Sequence, residues 1–226
     1  MLKVELHAHT SEDPQDRVPH SSTELVDRAV ELEYRALSIT LHDKQLQSPR
    51  LTAYAKDKGL VLVAGVERTI RGKHVLLINF PESAERVETF EDLAELKKKN
   101  PNGLVIAPHP FYPGKSCLRS LMNQYADLFD AVELNCFYTS TVDFNRAAVR
   151  WAQEHGKTIV GNSDVHRLVQ LGRTFTLVDA VPDPDSICRA IREGRVKIQT
   201  DPLSWKFIGE VLGKLLFDNV VKTLRL

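Results

Sequence analysis

Short β-branched runs alternate with capped helical stretches along nearly the whole chain, and that alternation limits the fold more than any other feature. The pattern predicts strands over 2–6, 35–41, 60–66, 74–80, 104–107, 130–134, 158–161, 174–178 and 195–199. Several are near-continuous apolar runs, as expected of strands covered on both faces in a parallel sheet. Between them, Ser21-Ser22-Thr23-Glu24 reads as a capping box opening a helix. Further helices are predicted over 49–58, 89–99, 141–155 and 184–193, each with an ordinary C-terminal stop. Strand–helix alternation predicts an α/β fold, either a barrel or a doubly wound sheet.

The 226 residues suit one domain with a full core. The expected division is a domain over 1–200 and a helical extension of it over 201–226. On that tail Trp205, Ile208, Leu212, Leu215 and Leu216 share an apolar face. Asp201, Glu210 and Asp218 interrupt its lysines, which predicts packing on the domain or in a homodimer rather than on a membrane surface. Thirty Lys+Arg balance thirty Asp+Glu, so bulk charge does not favour long nucleic acid. No apolar stretch approaches the ~20 residues of a membrane span. Met1–Leu6 lacks an export-type apolar region, and Cys117, Cys136 and Cys188 are too few and too spread for a disulfide framework. A cytoplasmic protein with reduced thiols is the expectation.

The eight histidines fall in a pattern. His7 and His9 follow the first strand as His-x-His, and His20 lies in the same loop. His42 follows the second strand, Glu67 ends the third, and His109 ends another in Pro108-His109-Pro110. Asp164 and His166 follow the strand that ends at Gly161. Parallel strands present their C-terminal ends on one face, so these side chains converge. His74 begins its strand; a tight hairpin from Glu67 to His74 would bring it to the same face. His155 lies at a helix end and is assigned no role. A lone histidine at a strand end is most often structural. Seven on one face with two carboxylates are better explained by metal, because clustered imidazoles repel when protonated and need partners when neutral. The nitrogen and oxygen donor set points to Zn, Mn or Fe, and nine candidate ligands exceed one tetrahedral ion, implying two or three.

The segments His7-Ala8-His9-Thr10, Thr40-Leu41-His42, Gly65-Val66-Glu67, Pro108-His109-Pro110 and Ser163-Asp164-Val165-His166, with His20 and His74, resemble the PHP (polymerase and histidinol phosphatase) family of metal-dependent phosphoesterases. The resemblance runs from His7 to about Gly194. It implies a distorted seven-stranded (β/α)7 barrel of the TIM-barrel-like type, with the C-terminal helix packed outside. It also implies up to three metals. His7, His9, Glu67 and Asp164 would hold the first, and Glu67, His74 and His109 the second, with Glu67 bridging. His20, His42 and His166 would hold the third. The family usually has Thr-Asp-His where this chain has Thr40-Leu41-His42, which leaves Asp43 or Asp13 as a replacement carboxylate. The short segment 68–108 leaves no room for a lid domain between Glu67 and His109.

The chemistry implied is hydrolysis of a small phosphomonoester or nucleotide by metal-activated water. Glu67 and Asp164 are the expected catalytic carboxylates, and His20 or His166, when free of metal, the proton donor to the leaving group. Arg17 and Arg173 are candidate phosphate contacts, though surface salt bridges are the commoner role of such residues. Glu133 and Asn135 are candidates to support the ligands from behind, and Cys117 and Cys136 to pack as small apolar groups. Three rivals remain: an amidohydrolase, a metal-binding regulator without turnover, and a nuclease.

Overall fold

In the computed structural model, which describes residues 1–207 with Gly209 and Gly213, the chain opens with two βα units. Strand β1 (Leu2–Glu5) is followed by α1 (Ser22–Glu31), then β2 (Ala36–Ile39), α2 (Pro49–Asp57) and β3 (Val61–Ile70). The three strands are parallel neighbours, with Val4 beside Ala36 and Ala36 beside Val61. The predicted capping box is present: the Ser21 hydroxyl accepts from Glu24 N, and Glu24 accepts from Ser21 N at 2.8 Å. A cap of this kind contributes ~1 kcal/mol. Helix α1 turns Leu25, Val26 and Ala29 onto Leu37, Ile39 and Leu41 of the second strand and its loop.

From β3 the chain turns back on itself. Arg71 and Gly72 both have positive φ, 49° and 74°, the two-residue hairpin turn whose twist matches the flanking strands. Strand β4 (Lys73–Ile78) therefore runs antiparallel to β3, and β5 (Leu104–Ala107) antiparallel to β4, with α3 (Phe90–Lys99) between them. Parallel pairing resumes through the short α4 (Leu121–Gln124), β6 (Ala131–Asn135), α5 (Asn145–Glu154) and β7 (Thr158–Asn162). Strand β8 (Thr174–Val178) returns antiparallel to β1, and β9 (Val196–Thr200), after α6 (Pro184–Arg192), lies antiparallel to β8.

The nine strands form one sheet in the order β7-β6-β5-β4-β3-β2-β1-β8-β9. Past the ends of β1 and β7 the chain pairs again, through a parallel bridge between Ala8 and Val165, so the sheet nearly closes into a barrel. Val4, Ala36, Val63, Leu76, Leu104, Ala131 and Val160, one from each of β1 to β7, lie in one buried cluster with Ile187, Cys188 and Ile191 of α6. The α/β barrel-like architecture matches the expectation. Strict (β/α)7 alternation does not hold, because the Arg71-Gly72 turn leaves no crossover helix and β8 and β9 add an antiparallel pair.

Helix α5 starts at Asn145, four residues later than the sequence pattern predicts. The Thr139 hydroxyl accepts from Thr141 N and Val142 N, and Asp143 accepts from Asn145 N. These side chains offer the backbone an alternative to the helix. The tail helix expected over 203–226 lies, beyond Phe207, outside the described residues apart from Gly209 and Gly213. Among the described residues no helix is long and apolar enough to cross a membrane.

Candidate metal centre

Glu67 lies within β3, three residues before its end rather than at it as the sequence predicts, because pairing with β4 extends the strand to Ile70, and it is buried to 1% exposure. Its Oε1 lies 2.7 Å from His74 Nδ1 and 3.3 Å from His109 Nε2. Its Oε2 lies 3.3 Å from His7 Nε2, 3.2 Å from His9 Nε2 and 3.3 Å from His42 Nε2. One carboxylate thus meets five imidazoles brought by four strands. Asp164, just past β7, adds Oδ1 at 3.3 Å from His7 Nε2, 3.5 Å from His9 Nε2 and 3.4 Å from His166 Nδ1. The hairpin delivers His74 as predicted, opposite Thr69 in register.

A second ring of groups holds the imidazoles from behind. Glu133 of β6, fully buried, receives His7 Nδ1 on Oε1 at 2.8 Å and the His109 backbone N–H on Oε2 at 2.8 Å. Asn162 and Asn135 donate to the same carboxylate, and Asn135 also reaches Asp164 Oδ2. Asp13 faces the Nδ1 atoms of His9 and His42 at 2.8 and 3.0 Å. Asp16 lies 3.0 Å from His166 Nε2. Because an ionised carboxylate only accepts, the Nδ1 atoms hydrogen-bonded to Glu133 and Asp13 carry hydrogen. His7, His9 and His42 are thereby held with Nε2 turned to Glu67.

Cys117 is buried as expected, to 3% exposure, and its Sγ also lies 3.6 Å from His109 Nδ1. Cys136 donates from Sγ to Ser163 O at 3.0 Å. His109 and Asp164 have φ of 29° and 48°, in the left-handed region, a conformation costing about 1–3 kcal/mol in a non-glycine residue. The hydrogen bond from His109 N to Glu133 holds one of them there.

Burial disfavours charge on every group here, yet the carboxylates and imidazoles sustain each other. Burial lowers His7, but Asp164, Glu133 and Glu67 bring it well above the ordinary histidine value. His9, also lowered by burial, is raised to about 10 by Asp13, Asp164 and Glu67. His109 is raised in the same way, with Cys117 and Glu67 opposing its burial. Burial pushes Glu67 and Asp164 up, but the imidazoles, His7 first among them, hold both well below the ordinary carboxylate range. The concentration of buried negative charge calls for cations, which protons on histidine satisfy only in part.

The donor set fits divalent ions. His7 Nε2 and His9 Nε2 are buried with no hydrogen-bond partner, although Nδ1 of each ring is engaged. Four sets of donor atoms each lie within 4.8 Å of one another: His7, His9 and Asp164; His42, Glu67 and His74; His7, His109 and Glu133; and His9, Asp13 and His42. In the last two sets the carboxylate meets a ring on its Nδ1 side, which makes it a brace behind the imidazole.

His20 is brought in less directly. Its Nε2 lies 3.0 Å from His9 O, and its buried Nδ1 has no hydrogen-bond partner. Burial lowers its pKa, and the charges of His166 and Arg167 lower it further. Leu41 is fully buried against the α1 face, pointing away from the imidazoles. Of the two replacement carboxylates considered, Asp43 pairs with Arg68 at 2.6 Å, whereas Asp13 reaches His42. Arg17 is exposed on the first loop. Arg173 is also exposed, and its guanidinium lies over the Phe207 ring at 4.3 Å. Asp16, Asn162 and the thiol of Cys117 were not anticipated: Asp16 stands in a polar loop without a spacing signal, and Asn162 is the last residue of a buried strand, where its neighbour Asp164 carried the pattern.

The PHP-associated family model matches residues 143–196, a stretch that includes Asp164 and His166. No curated protein matches the chain significantly by sequence. Among solved structures the fold is shared with a two-domain protein containing a predicted PHP-like metal-dependent phosphoesterase from Bacteroides vulgatus ATCC 8482. That match has a TM-score of 0.68 and 19% identity over 96% of this chain and 69% of the other. PsfC from Pseudomonas syringae PB-5123 matches with a TM-score of 0.66 and 18% identity, over 97% of this chain and 98% of its own. The lesion-specific endonuclease PfuEndoQ from Pyrococcus furiosus matches with a TM-score of 0.59 and 21% identity, over 87% of this chain and 57% of its own. At these identities the likeness is one of fold.

Proposed function

We propose that this chain, whose PHP-associated match and fold support a PHP domain family, is a metal-dependent hydrolase of phosphate esters, with a small phosphomonoester or nucleotide as substrate. The observation that carries the reading is the convergence of the Nε2 atoms of His7, His9 and His42 on Glu67 Oε2, at 3.2–3.3 Å, each ring braced from behind.

His7, His9, Glu67 and Asp164 would hold one ion and Glu67, His74 and His109 a second, with Glu67 shared. His20, His42 and His166 would hold a third. Divalent ions bound there supply Lewis acidity and bring the pKa of a bound water towards neutrality. Zn, Mn and Fe all suit the imidazole and carboxylate donors.

The chain's own residues do the rest. Glu67, buried and acceptor-only, fixes the geometry. Asp164, 23% exposed at its side chain, would orient water at its open edge. His20 or His166, the latter 19% exposed at its side chain, would donate a proton to the leaving oxygen when not a ligand. Ions held there would supply affinity for an anionic substrate to a chain with no net charge. We read residues 1–200 as one hydrolase domain, and the three buried free thiols fit the reducing setting expected from the sequence.

The test is a panel of phosphomonoesters, phosphodiesters and peptidic amides offered to metal-loaded protein. Turnover of monoesters supports the reading. Diester cleavage alone would move it towards the nuclease, amide cleavage alone towards the amidohydrolase, and no turnover towards a metal-binding regulator.

A further inference from the structure

The loop after β1 carries two carboxylates that reach three imidazoles from three different parts of the barrel. Asp13 is the pivot, and its side chain is fully buried. Its Oδ1 accepts from Gln15 N at 2.8 Å and Asp16 N at 2.9 Å, which closes a tight turn. Its Oδ2 accepts from His42 N at 3.0 Å and faces His9 Nδ1 at 2.8 Å and His42 Nδ1 at 3.0 Å. The turn then aims Asp16, whose Oδ2 lies 3.0 Å from His166 Nε2. The three rings are stacked: His9 lies between His42 and His166, with centroid separations of 4.5 and 4.4 Å.

Resting on the metal-centre reading above, we infer that Asp13 is a shared positioning residue for His9 and His42, and that it couples the filling of two metal sites through one carboxylate. In the proposed assignment His9 serves the first ion and His42 the third. Both rings present Nε2 to the interior only while Nδ1–H stays on Asp13, because the two ring nitrogens of each imidazole point to opposite sides. A loss at Oδ2 therefore frees both rings together. Asp13 is not itself a ligand in this arrangement. It meets both rings from the side away from Glu67, and its other oxygen is committed to the turn. Asp16 plays the corresponding part for His166 alone, at a more exposed position, 44% at its side chain. The first and third ions would thus both depend on the turn at 13–16.

Two readouts test this, one of them independent of metal. In metal-free protein, ¹⁵N–¹H spectra of the imidazoles report which nitrogen carries hydrogen. The wild type is expected to show sheltered Nδ1–H signals for both His9 and His42. Asp13→Asn, with one oxygen in place of two, is expected to lose both while the remaining histidines keep theirs. Asp16→Asn should disturb His166 only. Titration with Mn²⁺ or Zn²⁺ alone should then show Asp13→Asn weakening two classes of site together, by ~10–100-fold, the range for a residue that orients a ligand. Asp16→Asn should weaken one class. Persistence of both Nδ1–H signals in folded Asp13→Asn would overturn the inference, as would outright loss of one metal equivalent with the others unchanged, since that marks a direct ligand. A wild type that binds no metal would count against the metal-centre reading, while the imidazole spectra would still decide the role of Asp13.

Discussion

Glu67 Oε1 and His74 Nδ1 face each other at 2.7 Å across the β3–β4 hairpin, although His74 stands at the start of its strand and Glu67 inside the other. The turn at Arg71-Gly72 folds β4 back so that the beginning of one strand meets the C-terminal region of its neighbour. A strand running the other way would have put His74 at the opposite mouth of the barrel. The antiparallel insertion that breaks regular βα alternation is therefore what completes the imidazole ring around Glu67.

The protons that now neutralise this centre set how stability varies with pH. His7, His9 and His109 have raised values when folded, so their contribution is complete below an unfolded value of ~6.5 and is lost as pH rises through the folded ones, about 10 for His9. Glu67 and Asp164 are depressed, so theirs is present above ~4 and lost as pH falls. Metal-free protein should be most stable between about pH 4.5 and 6.5. Denaturant midpoints at pH 6 and pH 9 check this, with the lower value expected at pH 9. Added metal should reverse the trend, because binding displaces those protons and is favoured at higher pH.

Glu133 supports His7 through one oxygen and the His109 backbone through the other. Glu133→Gln turns an N–H towards one of these donors. Metal affinity should fall by ~10–100-fold with the fold retained. Competition with a chelator of known affinity measures it, and an unchanged affinity would mean that the two ligands hold their places unaided.

Restoring an acid at position 41 should not rescue anything. Leu41 is fully buried among Leu25, Leu37 and Ile39, outside the imidazole cluster. Leu41→Asp removes a core side chain worth ~2–5 kcal/mol and leaves a buried carboxyl without a partner. A large fall in melting temperature with no gain in metal binding is expected.

Gly65 lies two residues before Glu67, in a place that excludes a Cβ. An added methyl would fall 2.1 Å from Ser38 Oγ and 2.9 Å from Thr40 Cγ2. Gly65→Ala should cost about 1–3 kcal/mol. Ser38→Ala removes the nearest obstacle and a buried hydroxyl with no hydrogen-bond partner, so the double variant should recover part of the loss. Thermal melts of the three variants decide it.

Much of the candidate centre was legible because its imidazoles and carboxylates sit near the ends of apolar runs. Once the strands were placed, His7, His9, His42, His109 and Asp164 had to share a mouth, and the hairpin to His74 followed from a short connection. The closure of the sheet was not legible: the Ala8–Val165 bridge and the β8–β9 pair depend on pairing between distant segments. Of the bracing, Glu133 and Asn135 were candidates from their place at a strand end, whereas the turn at 13–16 was not legible. Asp13 and Asp16 act through a turn whose shape comes from side-chain-to-backbone hydrogen bonds, and a polar loop spells out no such geometry. The late start of α5 has the same origin, in Thr139 and Asp143.

The most direct measurement is the metal content of the purified chain, counted per protein after chelation, reloading with Mn²⁺, Zn²⁺ or Fe²⁺ and removal of free ion, beside Glu67→Gln handled identically. The account predicts two or three ions in the wild type and loss of at least the shared pair in the variant. A wild type holding fewer than one ion, or a Glu67→Gln variant that holds as many as the wild type, would contradict it.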